Sequence, residues 1–217
     1  MLRRYLSLTI GMLFLFLVSS VVASSIANTN ADPADSTQIQ KPHDLVERVT
    51  QELLKTISIH RETFAKSPEF FFGELDALLN NVIDFDWIAF RVMGQYAKVA
   101  SVEQRNRFAV TFRRELIETY GRGLLSYGEQ SIVVVPPTED INGLKSIKVV
   151  QEIRGSDGVF PLVYSMNLTH HGSWKVTNLV INGINLGKIF RNQFIQRAGQ
   201  FGGDIDKVID NWSSSAN

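Results

Sequence analysis

Between residues 44 and 127, hydrophobic side chains recur every three or four positions, which is the period of an α-helix. The first predicted helix starts at Asp44-Leu-Val-Glu47, because an acidic residue followed three positions later by glutamate is the pattern of a capping box. Its apolar stripe consists of Val46, Val49, Leu53 and Ile57. The second predicted helix starts at Ser67-Pro68, where a cap residue precedes proline at the first helical position.

Two further helices complete this half of the chain. Either Asp84 or Asp86 can cap the third, and Gly94 weakens it near its end. Ser101-Val-Glu-Gln104 is another capping box, and the helix that it opens is predicted to continue to about Tyr127. One face of this fourth helix is mostly aromatic, with an apolar residue at every fourth position: Phe108, Phe112, Leu116, Tyr120 and Leu124.

After Tyr127-Gly128 the hydrophobic period changes to that of a β-strand. Four strands are predicted, at residues 131–135, 146–153, 160–170 and 174–182. The last three follow one another through short turns at residues 155–158 and 171–172, which are rich in turn-forming side chains. Sequential strands joined by short turns indicate an antiparallel meander rather than a parallel sheet.

Asn182-Gly183 ends the predicted sheet, and a helix at residues 186–200 follows. Asp204 is predicted to cap a short last helix that ends at Trp212. This order of elements predicts an α+β fold: a curved antiparallel sheet of about four strands, with helices packed around it. The predicted domain covers residues 44–212, after a flexible leader at 24–43 and before a disordered tail at 213–217.

The N-terminus has the pattern of a secretory signal peptide. Arg3 and Arg4 precede residues 6–22, which contain no charged side chain, and small residues follow at suitable cleavage positions. Cleavage is expected after residue 23, or as late as residue 27, and the mature protein is expected in the periplasm. An uncleaved membrane anchor is the alternative, because the apolar stretch approaches the length of about 20 residues that spans a bilayer.

Composition and spacing exclude several kinds of chemistry. The 217 residues carry 22 basic and 22 acidic side chains, so the basic surplus of a nucleic-acid-binding protein is missing. Without cysteine there is no disulfide, thiolate zinc site or cysteine nucleophile. His170 and His171 are adjacent, so on a strand they point to opposite faces and do not share a metal ion. Asp84 and Asp86 are better explained as helix caps than as a catalytic pair. No catalytic residue, metal or cofactor is predicted.

Two blocks of the sequence carry a family pattern. Asn182-Gly183 ends a strand, Ile184-Asn-Leu186 follows, and Arg191 and Phe194 then lie on a helix. Further motifs are Asp84-Phe-Asp-Trp-Ile-Ala, Val92-Met-Gly94, Glu103-Gln-Arg-Asn-Arg-Phe108, Phe112…Tyr120, Trp174-Lys-Val and Asp206…Ile209-Asp-Asn-Trp212. In these motifs and their order, from about Asp44 to Trp212, the chain resembles the MlaC (toluene-tolerance Ttg2) family of periplasmic phospholipid-binding proteins.

The resemblance implies a carrier of diacyl phospholipids and not an enzyme. It implies partners in both membranes: an outer-membrane lipoprotein–porin complex and an inner-membrane ABC transporter with an MCE-domain protein. Shuttling between them would maintain the lipid asymmetry of the outer membrane. The implied fold is a twisted antiparallel sheet surrounded by helices, with acyl chains buried between them and the head group toward solvent. The expected cargo is phospholipid, and the expected state is a monomer.

Residues that line such a pocket are predicted from the side chains that share a face of a strand or helix. The predicted lipid-binding residues are Phe108, Phe112, Tyr120, Ile147, Val149, Leu162, Tyr164, Met166, Leu168, Ile189, Phe190 and Phe194, with Arg191 at the pocket mouth. Each of the apolar residues fits an ordinary core equally well. Two alternatives therefore remain: a small-molecule enzyme with a cone-shaped α+β cavity, and an interaction module without a ligand.

Overall fold

The structure is a computed structural model that describes residues 41–128 and 130–213. The predicted signal peptide lies outside these residues, as do most of the predicted leader and all of the predicted tail except Ser213. Within the described ranges, no helix has the length and hydrophobicity that crossing a membrane requires.

Four α-helices form the first half of the described chain. They are α1 (Pro42–His60), α2 (Pro68–Asn80), α3 (Phe85–Met93) and α4 (Val102–Leu124), and a 3₁₀ helix (Gly94–Lys98) lies between the last two. Helix α1 begins at Pro42, so the prediction that Asp44 caps it is wrong. Proline fits the first helical position, and Asp44 lies in the first turn, where the helix dipole favours a carboxylate.

The predicted caps of α3 and α4 are confirmed. The Asp84 carboxylate accepts a hydrogen bond of 2.9 Å from the backbone N–H of Trp87, and Asp86 lies in the first turn. Ser101 and Gln104 form the reciprocal bonds of a capping box at the start of α4. Gly94 has φ = 59°, a conformation that ends α3 and that glycine adopts without strain.

The second half contains an open antiparallel sheet with strand order β1-β2-β3-β4-β5. The strands are β1 (Ser131–Val134), β2 (Ser146–Gly155), β3 (Gly158–Leu168), β4 (Trp174–Ile181) and β5 (Ile184–Asn185). The α+β class is confirmed, with one strand more than predicted. The extra strand is the short β5, which pairs with β4 because Asn182 and Gly183 turn the chain back with φ values of 47° and 80°.

Two helices follow the sheet: α5 (Leu186–Gln200) and α6 (Ile205–Asp210). The side chain of Asn185 caps α5 by accepting a 3.0 Å hydrogen bond from the N–H of Lys188. At the opposite end of β4, residues 82–84 run beside the strand, and the N–H of Asp84 donates to the carbonyl of Val176 over 2.9 Å. Helices α3 and α5 therefore both start at β4, and they pack against each other.

Three clusters of side chains fill the interior of the described part. The first, between α3, α4, α5 and α6, is dominated by an aromatic core that consists of Phe108, Phe112, Phe190, Phe194 and Trp212. Its rings meet edge to face, with centroid distances of 4.8 Å for Phe108–Phe194 and 5.4 Å for Phe112–Phe190. The second cluster joins α1 to the sheet, and the third joins α1, α2 and α4.

Close packing of α4 against α2 generates a prediction at Gly121. A Cβ atom at Gly121 would lie 2.9 Å from Cδ1 of Leu75, which is fully buried, whereas a Cβ atom at Gly123 meets no atom within 4 Å. We expect Gly121→Ala to lower the free energy of unfolding by about 1–3 kcal/mol through overpacking. Gly123→Ala should raise it by up to about 1 kcal/mol, because alanine favours the helix. Urea unfolding measures both, and equal effects would contradict the close α2–α4 contact.

Candidate functional site

The inward face of the sheet is apolar along most of its length. Strand register places Ile147, Val149, Gln151 and Ile153 of β2 opposite Met166, Tyr164, Leu162 and Phe160 of β3. Beside β3, Leu179 of β4 pairs with Tyr164, and Ile181 pairs with Leu162. The faces assigned from sequence alternation thus belong to one continuous surface of the sheet.

Burial along this surface is uneven. At one end the first half of α1 covers the sheet: Leu45 and Val46 pack against the buried residues Ile147, Val149 and Met166. At the other end, next to the turn between β2 and β3, the inward-facing side chains remain only partly buried: Ile153, Phe160, Leu162, Leu179 and Ile181. We call the first the closed end and the second the open end of the sheet.

The neighbouring helices also leave inward-facing apolar side chains incompletely buried. The cluster between α1, α2 and α4 has five buried hydrophobic residues and nine partly buried ones, whereas the cluster of α3–α6 has fifteen and six. The partly buried members of the α1–α2–α4 cluster include Leu53 and Leu54 of α1, Leu116 and Leu124 of α4, and Leu125 just after α4. The α1–α2–α4 cluster is thus less completely buried than the α3–α6 cluster.

Chain connectivity links these helical residues to the open end of the sheet. Helix α4 ends at Leu124, and β1 starts seven residues later at Ser131, which pairs with Arg154 at the end of β2. On the other side, α5 starts directly after β5, and Tyr120 of α4 packs against Phe190 of α5 with ring centroids 6.3 Å apart. We take the open end of the sheet and the partly buried side chains of α1 and α4 together as the candidate site, and call it the apolar cleft.

A chain of hydrogen bonds crosses the inward face between the two ends. The Tyr164 hydroxyl donates to Oε1 of Gln151 over 2.8 Å, and Nε2 of Gln151 donates to Oγ1 of Thr50 over 2.7 Å. The Thr50 hydroxyl in turn donates to the Val46 carbonyl over 2.8 Å. Gln151 is 3% exposed, and burial raises the pKa of Tyr164 well above the ordinary value for tyrosine. These bonds fasten α1 to β2 and β3 and satisfy the buried amide.

The structure divides the predicted lipid-binding residues into three groups. Tyr120, Leu162, Tyr164 and Ile189 are partly buried: Leu162 lies at the open end, Tyr120 packs against Phe190, and Tyr164 belongs to the hydrogen-bond chain. Ile147, Val149, Met166 and Leu168 lie at the closed end. Phe108, Phe112, Phe190 and Phe194 belong to the aromatic core. Contact with lipid stays a prediction for each of them.

Arg191 is exposed on α5, and its guanidinium lies against Gly94: Nε is 3.1 Å from the position of a Cβ atom there. Its predicted place at a pocket mouth also stays a prediction. Sequence reasoning missed Gln151, although the alternation of β2 already places it on the inward face between Val149 and Ile153. It likewise left out Leu116 and Leu124, which share a face of α4 with Phe112 and Tyr120.

The polar candidates do not form a reaction centre in the described residues. His170 and His171 are exposed and lie in a turn, so the prediction that their side chains point to opposite faces of a strand is wrong. Their ring centroids are 3.7 Å apart, because β3 ends at Leu168 and both lie beyond it. Within the described ranges, no three His, Asp or Glu side chains are grouped so that they could hold a metal ion. Asp84 is a helix cap and Asp86 is exposed, so neither provides the buried acid that the enzyme alternative requires.

Fold and site together define an α+β protein whose antiparallel sheet has an apolar inward face that the packed helices bury only in part. The family model described as "MlaC protein" matches residues 47–214. The chain is 37% identical over 185 residues to the toluene tolerance protein ttg2D of Pseudomonas putida, covering 84% of this chain and 85% of that protein. The chain belongs to the MlaC family.

Two further proteins are similar to this chain. It is 23% identical to the intermembrane phospholipid transport system binding protein MlaC of Haemophilus influenzae, over 67% of this chain and 69% of that protein. A phospholipid-binding protein from Ralstonia solanacearum, solved in complex with a phospholipid, shares the fold with a TM-score of 0.70. That match has 20% sequence identity and covers 79% of this chain and 94% of the solved chain.

The buried Tyr164 hydroxyl makes folding stability depend on pH. Above the ordinary tyrosine pKa of about 10 the unfolded chain releases this proton, whereas the folded protein, whose pKa is higher, retains it. The stability that Tyr164 contributes is therefore complete below that pH and falls above it by up to about 1.4 kcal/mol per pH unit.

We expect the wild-type protein to lose unfolding free energy relative to Tyr164→Phe, by up to about 1.4 kcal/mol between about pH 10 and about pH 11. Urea unfolding of both proteins at each pH measures it, and the other tyrosines cancel in the comparison. A difference that does not change with pH would contradict the burial of this hydroxyl.

Proposed function

We propose that the protein binds a diacyl phospholipid with its acyl chains in the apolar cleft and carries it through the periplasm. The observation that carries this proposal is the incomplete burial of the inward-facing residues at the open end of the sheet and on α1 and α4. A sheet face and helices this apolar are normally closed by packing, so partly exposed inward faces indicate space for an apolar ligand. The family membership and the phospholipid bound by the Ralstonia solanacearum protein support the same ligand class.

The free energy gained by burying acyl chains determines how such a carrier can release its lipid. Two acyl chains contain about 30 methylenes, which gain roughly 24 kcal/mol on leaving water at about 0.8 kcal/mol each. A bilayer offers the chains about the same gain. Exchange between a membrane and the cleft is therefore nearly balanced, whereas escape into water is strongly unfavourable. Lipid leaves only when a partner opens the cleft or accepts the chains directly.

The partners and the compartment follow as part of the proposal. The basic and apolar N-terminal residues have the pattern of a signal that exports the protein to the periplasm. The carrier then exchanges lipid with an outer-membrane lipoprotein–porin complex and with an inner-membrane ABC transporter that bears an MCE-domain protein, and so maintains outer-membrane lipid asymmetry. The name of the Haemophilus influenzae relative, an intermembrane phospholipid transport binding protein, supports a route between two membranes.

A charge placed in the cleft tests the proposal. In Leu124→Glu a carboxylate replaces a partly buried side chain of the α1–α2–α4 cluster, where water can still solvate it while the cleft is empty. Acyl chains would bury that charge, which costs several kcal/mol, so phospholipid binding should fall by at least about tenfold. Native mass spectrometry after incubation with phospholipid vesicles measures the bound fraction.

The matched control is Val133→Glu. Val133 pairs with Glu152 on the outward face of β1 and β2, so the same charge there leaves the cleft unchanged and should leave lipid binding intact. Circular dichroism establishes that both variants are folded. The proposal is wrong if the wild-type protein takes up no phospholipid, or if folded Leu124→Glu binds as much lipid as Val133→Glu.

A further inference from the structure

The hydrogen-bonded residues Thr50, Gln151 and Tyr164 form a polar crossbar on an otherwise apolar surface. Gln151 pairs with Leu162 and Tyr164 pairs with Val149, so the crossbar occupies two consecutive positions along the strands. On one side of it lie the partly buried residues of the open end, and on the other side lie Ile147 and Met166, which are buried beneath α1. An acyl chain that enters at the open end and follows the strands reaches this crossbar before it reaches the closed end.

Both the hydrogen bonds of the crossbar and the packing behind it oppose the entry of an acyl chain into the closed end. Its three side chains already satisfy one another over 2.7–2.8 Å, and a methylene group offers no hydrogen bond in exchange. Displacing Gln151 would leave a buried amide, a phenolic hydroxyl and a threonine hydroxyl to find new partners. Beyond the crossbar Ile147 and Met166 are buried, with 8% and 0% of their surface exposed, so an acyl chain would have to displace side chains that are already packed.

We propose that this crossbar ends the cleft and sets the longest acyl chain that the protein accepts. Because the proposal presupposes that the cleft binds phospholipid, it deepens the proposed function by assigning the acyl-chain specificity to Thr50, Gln151 and Tyr164. The expected consequence is a cut-off: each methylene gained by the chain is buried in the cleft until its end meets the crossbar, and further methylenes then remain outside or force the network apart.

Affinity as a function of chain length shows such a cut-off. A buried methylene is worth about fourfold in binding relative to lipid in water, but vesicles bury it as well as the cleft does. For lipids that compete from the same vesicles, relative binding should therefore stay level up to the cut-off and then fall by about fourfold for each methylene left outside the cleft. The probe is a series of phosphatidylglycerols with one head group and increasing acyl-chain length. Native mass spectrometry of the protein mixed with vesicles that contain equimolar pairs from the series gives relative binding directly.

The main variant is Gln151→Ala combined with Tyr164→Phe, which removes the amide and the phenolic hydroxyl together and leaves Thr50 bonded to the Val46 carbonyl. We expect its cut-off to move to longer chains, with a gain of about fourfold per additional methylene for the lipids just beyond the wild-type limit. The control is Val150→Ala on the opposite face of β2, which should keep the wild-type profile. An unchanged cut-off in the folded double variant would overturn the proposal.

A second variant decides the question if the double variant does not fold. Leu162→Trp enlarges a partly buried side chain at the open end, on the path that leads to the crossbar, and should move the cut-off to shorter chains. A profile identical to that of the wild-type protein would show that chains do not run along this part of the sheet and would overturn the proposal. Absence of any phospholipid binding by the wild-type protein would instead refute the proposed function, and the crossbar assignment with it.

Discussion

Helix α1 covers only one end of the inward face of the sheet, and the rest of the structure depends on this incomplete cover. Leu45 and Val46 close the surface over Ile147 and Met166, whereas on the open side of the crossbar the described residues leave the inward-facing side chains only partly buried. Apolar residues that a domain of this size would normally bury remain partly exposed at the open end. In the proposed function a phospholipid supplies the missing contacts, so that cargo completes the hydrophobic interior that the chain itself leaves open.

The aromatic core stabilises the fold although the inward face of the sheet is incompletely covered. Phe108, Phe112 and Phe194 have no exposed surface, and the cluster that they form with buried residues of α3 and α6 packs the four helices together. Further along the same face of α4, Tyr120 and Leu124 are only partly buried. Helix α4 therefore has two roles in the proposed function: the first part of this face anchors the fold, and its last part borders the cleft.

Local sequence signals predicted most of the fold. Capping residues located α3 and α4, and strand alternation placed Ile147, Val149, Leu162 and Tyr164 on one face, because both depend on neighbours within a few positions. Three features were not predictable in this way. The start of α1 lacks a side-chain cap, β5 is two residues long, and the bond between Gln151 and Thr50 joins residues 101 positions apart. The same limit applies to the site, because periodicity shows that a residue faces inward but not whether another side chain covers it.

The most direct test of the central claim is a crystal structure of the protein with a phospholipid whose acyl chains carry bromine at their ends. Anomalous scattering then locates the chain ends without reference to any assumed pose. We predict bromine signal within the apolar cleft, on the open side of Gln151 and between the sheet and α1 or α4. Bromine at the closed end, in the aromatic core or on the protein surface would contradict the account.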